Sequence, residues 1–405
     1  MTLTYQQALS LVNQKLAAAT INPPVEITPL AQVRGRILAE DVLADRDLPP
    51  FRRATRDGFA VRAADVANVP AELECIGEAR AGKPWLGDFG SRPHAAVEIM
   101  TGAPLPEGAD AVVMVEYTRR EGSRVEVLRS VAAGENFVPR GSEAHAGCRV
   151  LARGRRLSAG EVGLLAAVGR TQVNVYRRPE VAILPTGDEV VPADATPEWY
   201  QIRNSNALTL AAQVEAAGGV PKLLGIAPDQ IEPLRAFIEE GLKSDLLLLS
   251  GGVSAGKYDF VEPVLAALGA EFYFSSVAIR PGKPLVFGRA GGRFFFGLPG
   301  NPVSTYVTFE LFARRALERL AGASPADPVF LRARLGKPLA HKTGLTTFMP
   351  ARVERAGADP VVNLVAWQGS GDLVGVAAAN CFLVVHPEQT ALAAGDWVDV
   401  MRIVE

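Results

Sequence analysis

A chain of 405 residues has room for roughly two to four domains. Its 48% hydrophobic and 21% charged content are those of an ordinary globular protein, and a formal net charge of -2 gives no electrostatic footprint for nucleic acid. Cys75, Cys148 and Cys381 form no pair at zinc or disulfide spacing, and His94, His145, His341 and His386 are equally scattered, which argues against metal chemistry built on those residues. No apolar run of about 18 residues predicts a membrane span, and no basic segment followed by an apolar core predicts a signal peptide. The expectation is a cytoplasmic protein that meets neither membrane nor nucleic acid.

Thr4 and Gln7 have the spacing of a capping box, and Tyr5, Leu9, Val12 and Leu16 then line one helical face. From about Pro29 to Val175 the signals are mostly of strand type, as in Ala111 to Val115 and Val125 to Leu128. Two turns there are unusually polar, Arg56-Asp57-Gly58-Phe59 and Pro139-Arg140-Gly141-Ser142-Glu143. A helix is predicted from about Ser158 to Val168, with Ser158 as N-cap and Glu161 three residues on.

The pattern changes at Pro179. Val181 to Leu184, Leu246 to Leu249, Leu285 to Phe287 and Phe294 to Phe296 read as strands. Ala207 to Ala217, Ile231 to Leu242, Val261 to Leu268 and Pro302 to Leu320 read as helices. This alternation predicts a doubly wound α/β domain. The four leucines from Leu246 demand cover on both faces, as in a parallel sheet. Residues 322–328 look like a linker. Beyond them come short strands with little helix, consistent with a small C-terminal β-barrel.

Three strand-end loops should converge on one edge of the α/β sheet. They are Pro185-Thr186-Gly187-Asp188-Glu189, Ser250-Gly251-Gly252-Val253-Ser254-Ala255-Gly256-Lys257-Tyr258-Asp259 and Gly297-Leu298-Pro299-Gly300-Asn301-Pro302. Glycine-rich turns before helices suit phosphate or another oxyanion. Carboxylates beside phosphates suit Mg²⁺, which takes oxygen ligands. Arg280 and Lys283, set among prolines, add two cations. Each feature also has a structural explanation. Asp259 with Glu262, and Asp229 with Glu232, fit the helix-capping pattern. Asn301-Pro302 is an ordinary N-cap and N1 pair. Arg280 and Lys283 could be a solvated pair, and Asp57 and Glu143 simple turn residues.

The combination is more specific than its parts. Thr55-Arg-Asp-Gly-Phe-Ala-Val61, Ile99-Met-Thr-Gly-Ala-Pro104, Glu135-Asn-Phe-Val-Pro-Arg-Gly141, the Ser250 to Asp259 segment, Lys283-Pro, Gly297-Leu-Pro-Gly-Asn-Pro-Val-Ser304 and Ala379-Asn-Cys381 occur in one order. In that order they resemble the molybdopterin molybdenumtransferase (MoeA) family, to which the E domain of gephyrin is related. The resemblance covers nearly the whole chain.

It implies an elongated homodimer with a four-part subunit. The parts are residues 1–44 with 145–178, an inserted β-rich domain at 45–144, an α/β molybdopterin-binding domain at 179–324 and a β-barrel at 325–405. The implied reaction is Mg²⁺-assisted insertion of molybdate into adenylylated molybdopterin, with release of AMP. The molybdopterin adenylyltransferase and acceptor molybdoenzymes are the further partners it suggests. The family's catalytic positions fall on Asp57, Thr101, Glu189, Asp229 and Asp259. Those around the substrate fall on Thr186, Gly187, Ser250, Gly251, Gly252, Ser254, Arg280, Lys283, Pro299, Asn301, Pro302, Arg352 and Ser370. Asp57, Glu143, Glu189 and Asp259 are the implied metal carboxylates. Two positions depart from the pattern: Glu143 stands where Asp is usual, and Arg280 where lysine is common. The competing readings are a molybdopterin adenylyltransferase or another nucleotide-handling α/β enzyme of the competence-damage type, and a gephyrin-like scaffold. The first two leave Asp57 and Thr101 unexplained; the third lacks a partner-binding segment in the sequence.

Overall fold

Leu246 to Leu249 show how the centre of the molecule is built. In the computed structural model, which describes residues 2–252, 259–323, 330–341, 344–356 and 359–403, all four are fully buried. Successive side chains of a strand point to opposite faces. Leu246 and Leu248 therefore join Val181, Ile183, Phe294 and Phe296 in one core, while Leu247 and Leu249 join Ala182, Leu184 and Phe295 in another. Each leucine removed from water in this way contributes about 1.5–3 kcal/mol.

In the N-terminal half, β1 (Gly58–Val61), β2 (Ala71–Ala79), β3 (Ala95–Ile99), β4 (Ala111–Met114), β5 (Thr118–Glu121) and β6 (Arg124–Val127) form one sheet in the order β4-β1-β3-β2-β6-β5. The predicted strand at Ala111 to Val115 stops at Met114, where a 3-10 turn begins. The sheet carries its own buried clusters, around Phe89 and Ile99 on one side and Phe59 and Val113 on the other.

The α/β sheet contains β7 (Glu180–Pro185), β8 (Val220–Leu223), β9 (Leu246–Ser250), β10 (Glu271–Ser276), β12 (Pro284–Ala290) and β13 (Arg293–Leu298), with the two-residue β11 (Ile279–Arg280) outside it. Its order is β8-β7-β9-β13-β12-β10. The first four strands run parallel and the last two pair antiparallel. Helices α3 (Asn206–Ala216), α6 (Pro302–Thr308) and α7 (Arg314–Leu320) cover one face; α4 (Ile231–Gly241) and α5 (Val261–Ala267) cover the other. This is the doubly wound arrangement. The predicted continuous helix from Pro302 to Leu320 is interrupted by a π turn at Phe309–Ala313. A π turn shifts the register of the following helix. Phe309, Leu311, Phe312 and Ala313 are all fully buried there.

Helix α1 (Tyr5–Ala18) begins at the expected capping box: the Gln7 N–H donates to Thr4 Oγ1 at 3.2 Å and the Thr4 N–H to Gln7 Oε1 at 2.9 Å. Its buried face packs on the α/β core. The Tyr5 ring meets Phe312 and Phe348 edge-on, at 6.0 and 5.9 Å, and so touches both the α/β helices and the C-terminal region. Helix α2 (Ala159–Ala167) follows Ser158, whose N–H and hydroxyl both donate to the Glu161 carboxylate.

At the C-terminus, β14 (Phe330–Leu335), β15 (Thr346–Ala356), β16 (Asp359–Leu364), β17 (Cys381–Val385) and β18 (Trp397–Arg402) close into a five-stranded barrel, β15-β16-β14-β18-β17 and back to β15. Helix α8 (Leu373–Ala378) interrupts the strand series. The two-residue β11 joins this barrel, pairing Ile279 with Thr346 and Arg280 with Thr347 in parallel. Most of the predicted linker, residues 324–328, lies outside the described residues.

Candidate functional site

The three predicted loops meet at the C-terminal ends of β7, β9 and β13. They line a cleft of about 420 Å³ that includes Thr186, Gly187, Glu189, Asp229, Ser250, Gly251, Gly252, Asp259, Pro299, Asn301 and Pro302. Register explains the convergence: Pro185 pairs with Ser250, and Ser250 with Leu298. The volume suits a ligand the size of a cofactor.

Two glycines are required by the turn after β9. Gly251 and Gly252 have φ of +97° and +62°. A Cβ on Gly251 would lie 2.7 Å from the Thr186 carbonyl oxygen, and one on Gly252 2.9 Å from Thr186 Oγ1. Only glycine tolerates both the conformation and the closeness. The Gly251 N–H donates to Leu298 O at 3.2 Å, so it ties two loops together and is not an open anion donor. Ser254 and Lys257 lie outside the described residues.

Acidic side chains crowd one wall. The Asp229 carboxyl is pushed above its ordinary value, first by burial and then by the like charges of Asp188, Glu189 and Asp259. Burial, followed by Asp259, raises Glu262 in the same direction. Neither aspartate fills the capping role that its spacing allowed. Gln230 holds the cap position of α4 and Phe260 that of α5, and neither helix has a side-chain cap bond. The Asp229 N–H instead donates to Asp188 Oδ1 at 3.1 Å. Asn301 does occupy the N-cap of α6 with Pro302 at N1, again without a side-chain cap bond.

Asp57, Thr101 and Glu143 do not line this cleft. They lie together elsewhere, around β1. The Thr101 N–H and hydroxyl both donate to Asp57 Oδ1, at 2.6 and 2.7 Å. These two bonds, the backbone one first, hold the exposed Asp57 carboxyl below its ordinary value. Glu143 is exposed and lies 3.5 Å from Arg53. The two segments are linked through the backbone, since the Thr55 N–H donates to Asn136 O and the Gly102 N–H to Ala54 O.

Arg280, Lys283, Arg352 and Ser370 also fall outside the lining residues, although Pro284 reaches the cleft beside Lys283. Arg280 is held by the barrel through β11. Buried His341 meets Thr347 Oγ1 at 3.0 Å on the barrel side, and its pKa is lowered by burial and then by the Arg280 charge. Arg352 pairs with Glu354 at 3.0 Å on the exposed barrel surface. The Ser370 carbonyl accepts from the Val303 N–H at 2.9 Å, fixing the 369–371 loop to the start of α6.

Sequence reasoning did not single out Asn204, Asn206 or Asp188. Asn204 Oδ1 accepts from the Ala207 N–H at 3.1 Å, and Asn206 bridges two cleft loops. The Asn-Ser-Asn string opening α3 was the available signal.

Among the described residues, no three His, Cys, Asp or Glu side chains form a ready metal cage. The carboxylate wall instead suits a cation such as Mg²⁺, which commonly binds one or two carboxylates and completes its shell with water and substrate phosphate oxygens. Among those residues, too, no helix is long and apolar enough to cross a membrane.

An α/β sheet with a glycine-lined, acid-walled cleft at its strand ends defines a protein that handles ligands of cofactor size. Residues 3–169 match the MoeA N-terminal region (domains I and II), 182–319 a probable molybdopterin-binding domain and 332–403 the MoeA C-terminal region (domain IV). The molybdopterin molybdenumtransferase of Nostoc sp. is 37% identical over 93% of this chain and 88% of its own length; that of Bacillus subtilis is 36% identical over 91% and 88%. The crystal structure of the molybdopterin biosynthesis MoeA protein from Pyrococcus horikoshii OT3 superimposes with a TM-score of 0.82 at 30% identity, covering 100% of both chains. The chain belongs to the molybdopterin molybdenumtransferase family, transferases of molybdenum cofactor biosynthesis.

Proposed function

We propose that this protein inserts molybdate into adenylylated molybdopterin and releases AMP, with Mg²⁺ assisting, and that it works as a homodimer in the cytoplasm. The observation that carries the reading is the acid wall of Glu189, Asp229 and Asp259 beside the glycine-lined floor from Ser250 to Gly252. The glycine-lined floor suits a planar pterin, Arg203 also lines the cleft, and the carboxylates suit a cation shared with the phosphates. Mg²⁺ held there by Glu189 and Asp259 supplies charge neutralisation on the phosphoanhydride.

The chain's own residues do the rest. Thr186, Gly187, Ser250, Pro299, Asn301 and Pro302 fix the pterin and limit its freedom, which lowers the entropic cost of meeting molybdate. Arg280 and Lys283 supply positive charge for the oxyanion, with Arg352 and Ser370 on the barrel side of the same region. Asp229, whose carboxyl is raised by burial and neighbouring carboxylates, completes the acid wall.

The homodimer reading is supported by the division of the acidic residues. Asp57, Thr101 and Glu143 stand outside the cleft of their own chain. A second copy can bring them to it, Asp57 and Glu143 then completing the metal carboxylates. The four-part division of the subunit, at 1–44 with 145–178, 45–144, 179–324 and 325–405, belongs to the same reading. It is supported by the separate hydrophobic clusters of the two N-terminal parts, although α1 and the barrel residues Phe348, Phe382, Val384 and Met401 share one cluster with the α/β domain.

The test is direct. Purified protein with adenylylated molybdopterin, molybdate and Mg²⁺ should release AMP and yield a cofactor that activates an apo-molybdoenzyme. Chelation should stop AMP release and added Mg²⁺ restore it. ATP consumption in place of AMP release would favour the adenylyltransferase reading.

A further inference from the structure

Asn206, the first residue of α3, ties together the two loops that floor the cleft. Its Nδ2 donates to Ser250 Oγ at 2.8 Å and to the Gly300 carbonyl at 2.7 Å. A carbonyl can only accept, so the amide orientation is fixed by chemistry. Ser250 Oγ therefore accepts a hydrogen bond from Asn206, and the serine's own hydroxyl hydrogen must point elsewhere. The partner it has is Pro299 O, at 3.4 Å. That carbonyl already accepts a 2.5 Å bond from the Thr305 hydroxyl. A bond of that length is weak. The Ser250 hydroxyl can leave it for a negatively charged oxygen at little cost, because charge-assisted bonds are the stronger ones. Ser250, Asn206, Pro299 and Gly300 all line the cleft.

The other end of the amide points the same way. Asn206 Oδ1 is buried and has no hydrogen-bond partner. A residue kept only to brace a helix start would not need to bury an unpaired acceptor.

We propose that Asn206 is a positioning residue for substrate binding. It turns the Ser250 hydroxyl into a donor for a phosphate or other oxyanion of the ligand, and it holds the Ser250–Gly252 and Pro299–Asn301 loops as one surface. The proposal rests on the reading of the cleft as the site for adenylylated molybdopterin.

The test is a double-mutant cycle on the full-length protein. Binding of adenylylated molybdopterin is followed by pterin fluorescence under anaerobic conditions, for the unaltered protein, Asn206→Ala, Ser250→Ala and the double variant. Each single change should weaken binding on the order of tenfold, the loss expected for one hydrogen bond to a charged group. The double variant should bind no worse than either single one, because both changes remove the same bond. Melting temperatures separate this from loss of fold. If Asn206→Ala does not fold, Asn206→Asp keeps the shape, cannot donate to Gly300 O and should bind at least as weakly. Two results overturn the proposal: an Asn206 variant that binds like the unaltered protein, or losses that multiply independently in the double variant. Failure of the unaltered protein to bind the pterin would overturn the reading of the cleft, and the proposal with it.

Discussion

Ser250 reaches the cleft from the end of a strand buried on both faces, whereas Asp57 sits in an exposed turn held by two hydrogen bonds from Thr101. The first site takes its shape from the core: the leucines that bury β9 also set where its loop emerges. The second takes its shape from a single neighbour, and Asp57 does not line the cleft of its own chain. A function that needs both must be assembled in two ways. Folding prepares the cleft, and in the proposed dimer association would bring the exposed carboxylate to it.

The largest effect should come from separating the two. Asp259→Ala and Asp57→Ala should each reduce AMP release at least 100-fold, with melting temperatures within about 2 °C of the unaltered protein. Mixed and reassociated, the two dead variants should recover about a quarter of full activity, since half the dimers are mixed and each mixed dimer has one intact cleft. Mixed dimers without activity would place both carboxylates in the same chain's site.

Leu248→Ala tests how far the cleft depends on the core. It should cost roughly 3 kcal/mol of stability, read as an earlier denaturant midpoint. Thr101→Val, by contrast, should leave that midpoint unchanged. Equal losses of stability would show that the two regions are not built differently.

Thr101→Val has a smaller effect of its own. Thr101 keeps Asp57 ionised below the usual carboxylate range. Losing the hydroxyl bond while keeping the backbone one should move the acid limb of the activity profile to higher pH, by less than one unit. A limb that stays in place would remove Asp57 from the pH dependence.

The smallest effect belongs to Asp229. Its carboxyl is raised, so the folded state holds the proton more tightly than the unfolded chain does. That stabilisation is present below the ordinary aspartate value and is lost as pH rises through the raised one. Asp229→Asn should therefore melt ~1 °C higher near neutral pH, the gain being limited by solvent screening, while activity falls. No gain in melting temperature would mean that the acid wall carries no strain.

The parts legible in the sequence are those where one local rule decides. Four leucines in a row can only be covered on both sides, and Thr4 with Gln7 can only brace a helix start. The strand-end loops followed from the strands. Other features depend on contacts between distant segments. That α1 packs on the α/β core depends on Phe312 and Phe348, far along the chain. The π turn at Phe309–Ala313 leaves no trace in hydrophobic spacing, because every residue but Glu310 is apolar and buried. Asp259 and Asp229 had the spacing of caps, yet Phe260 and Gln230 took those positions. Asn206 looked like any helix-start asparagine, and only its two partners, 44 and 94 residues away, show otherwise.

The pairing of Ile279–Arg280 with Thr346–Thr347 makes the barrel more than a tail attached after the α/β domain. A short strand this isolated has little reason to hold its shape without a template. The barrel is that template, so the placing of the cation at position 280 is completed only when its partner Thr347, 67 positions later, has folded. During synthesis the α/β sheet can form first, but β11 has no barrel strand to pair with until the last domain has closed, and a chain cut short before it would keep the floor of the cleft without the pairing that places Arg280.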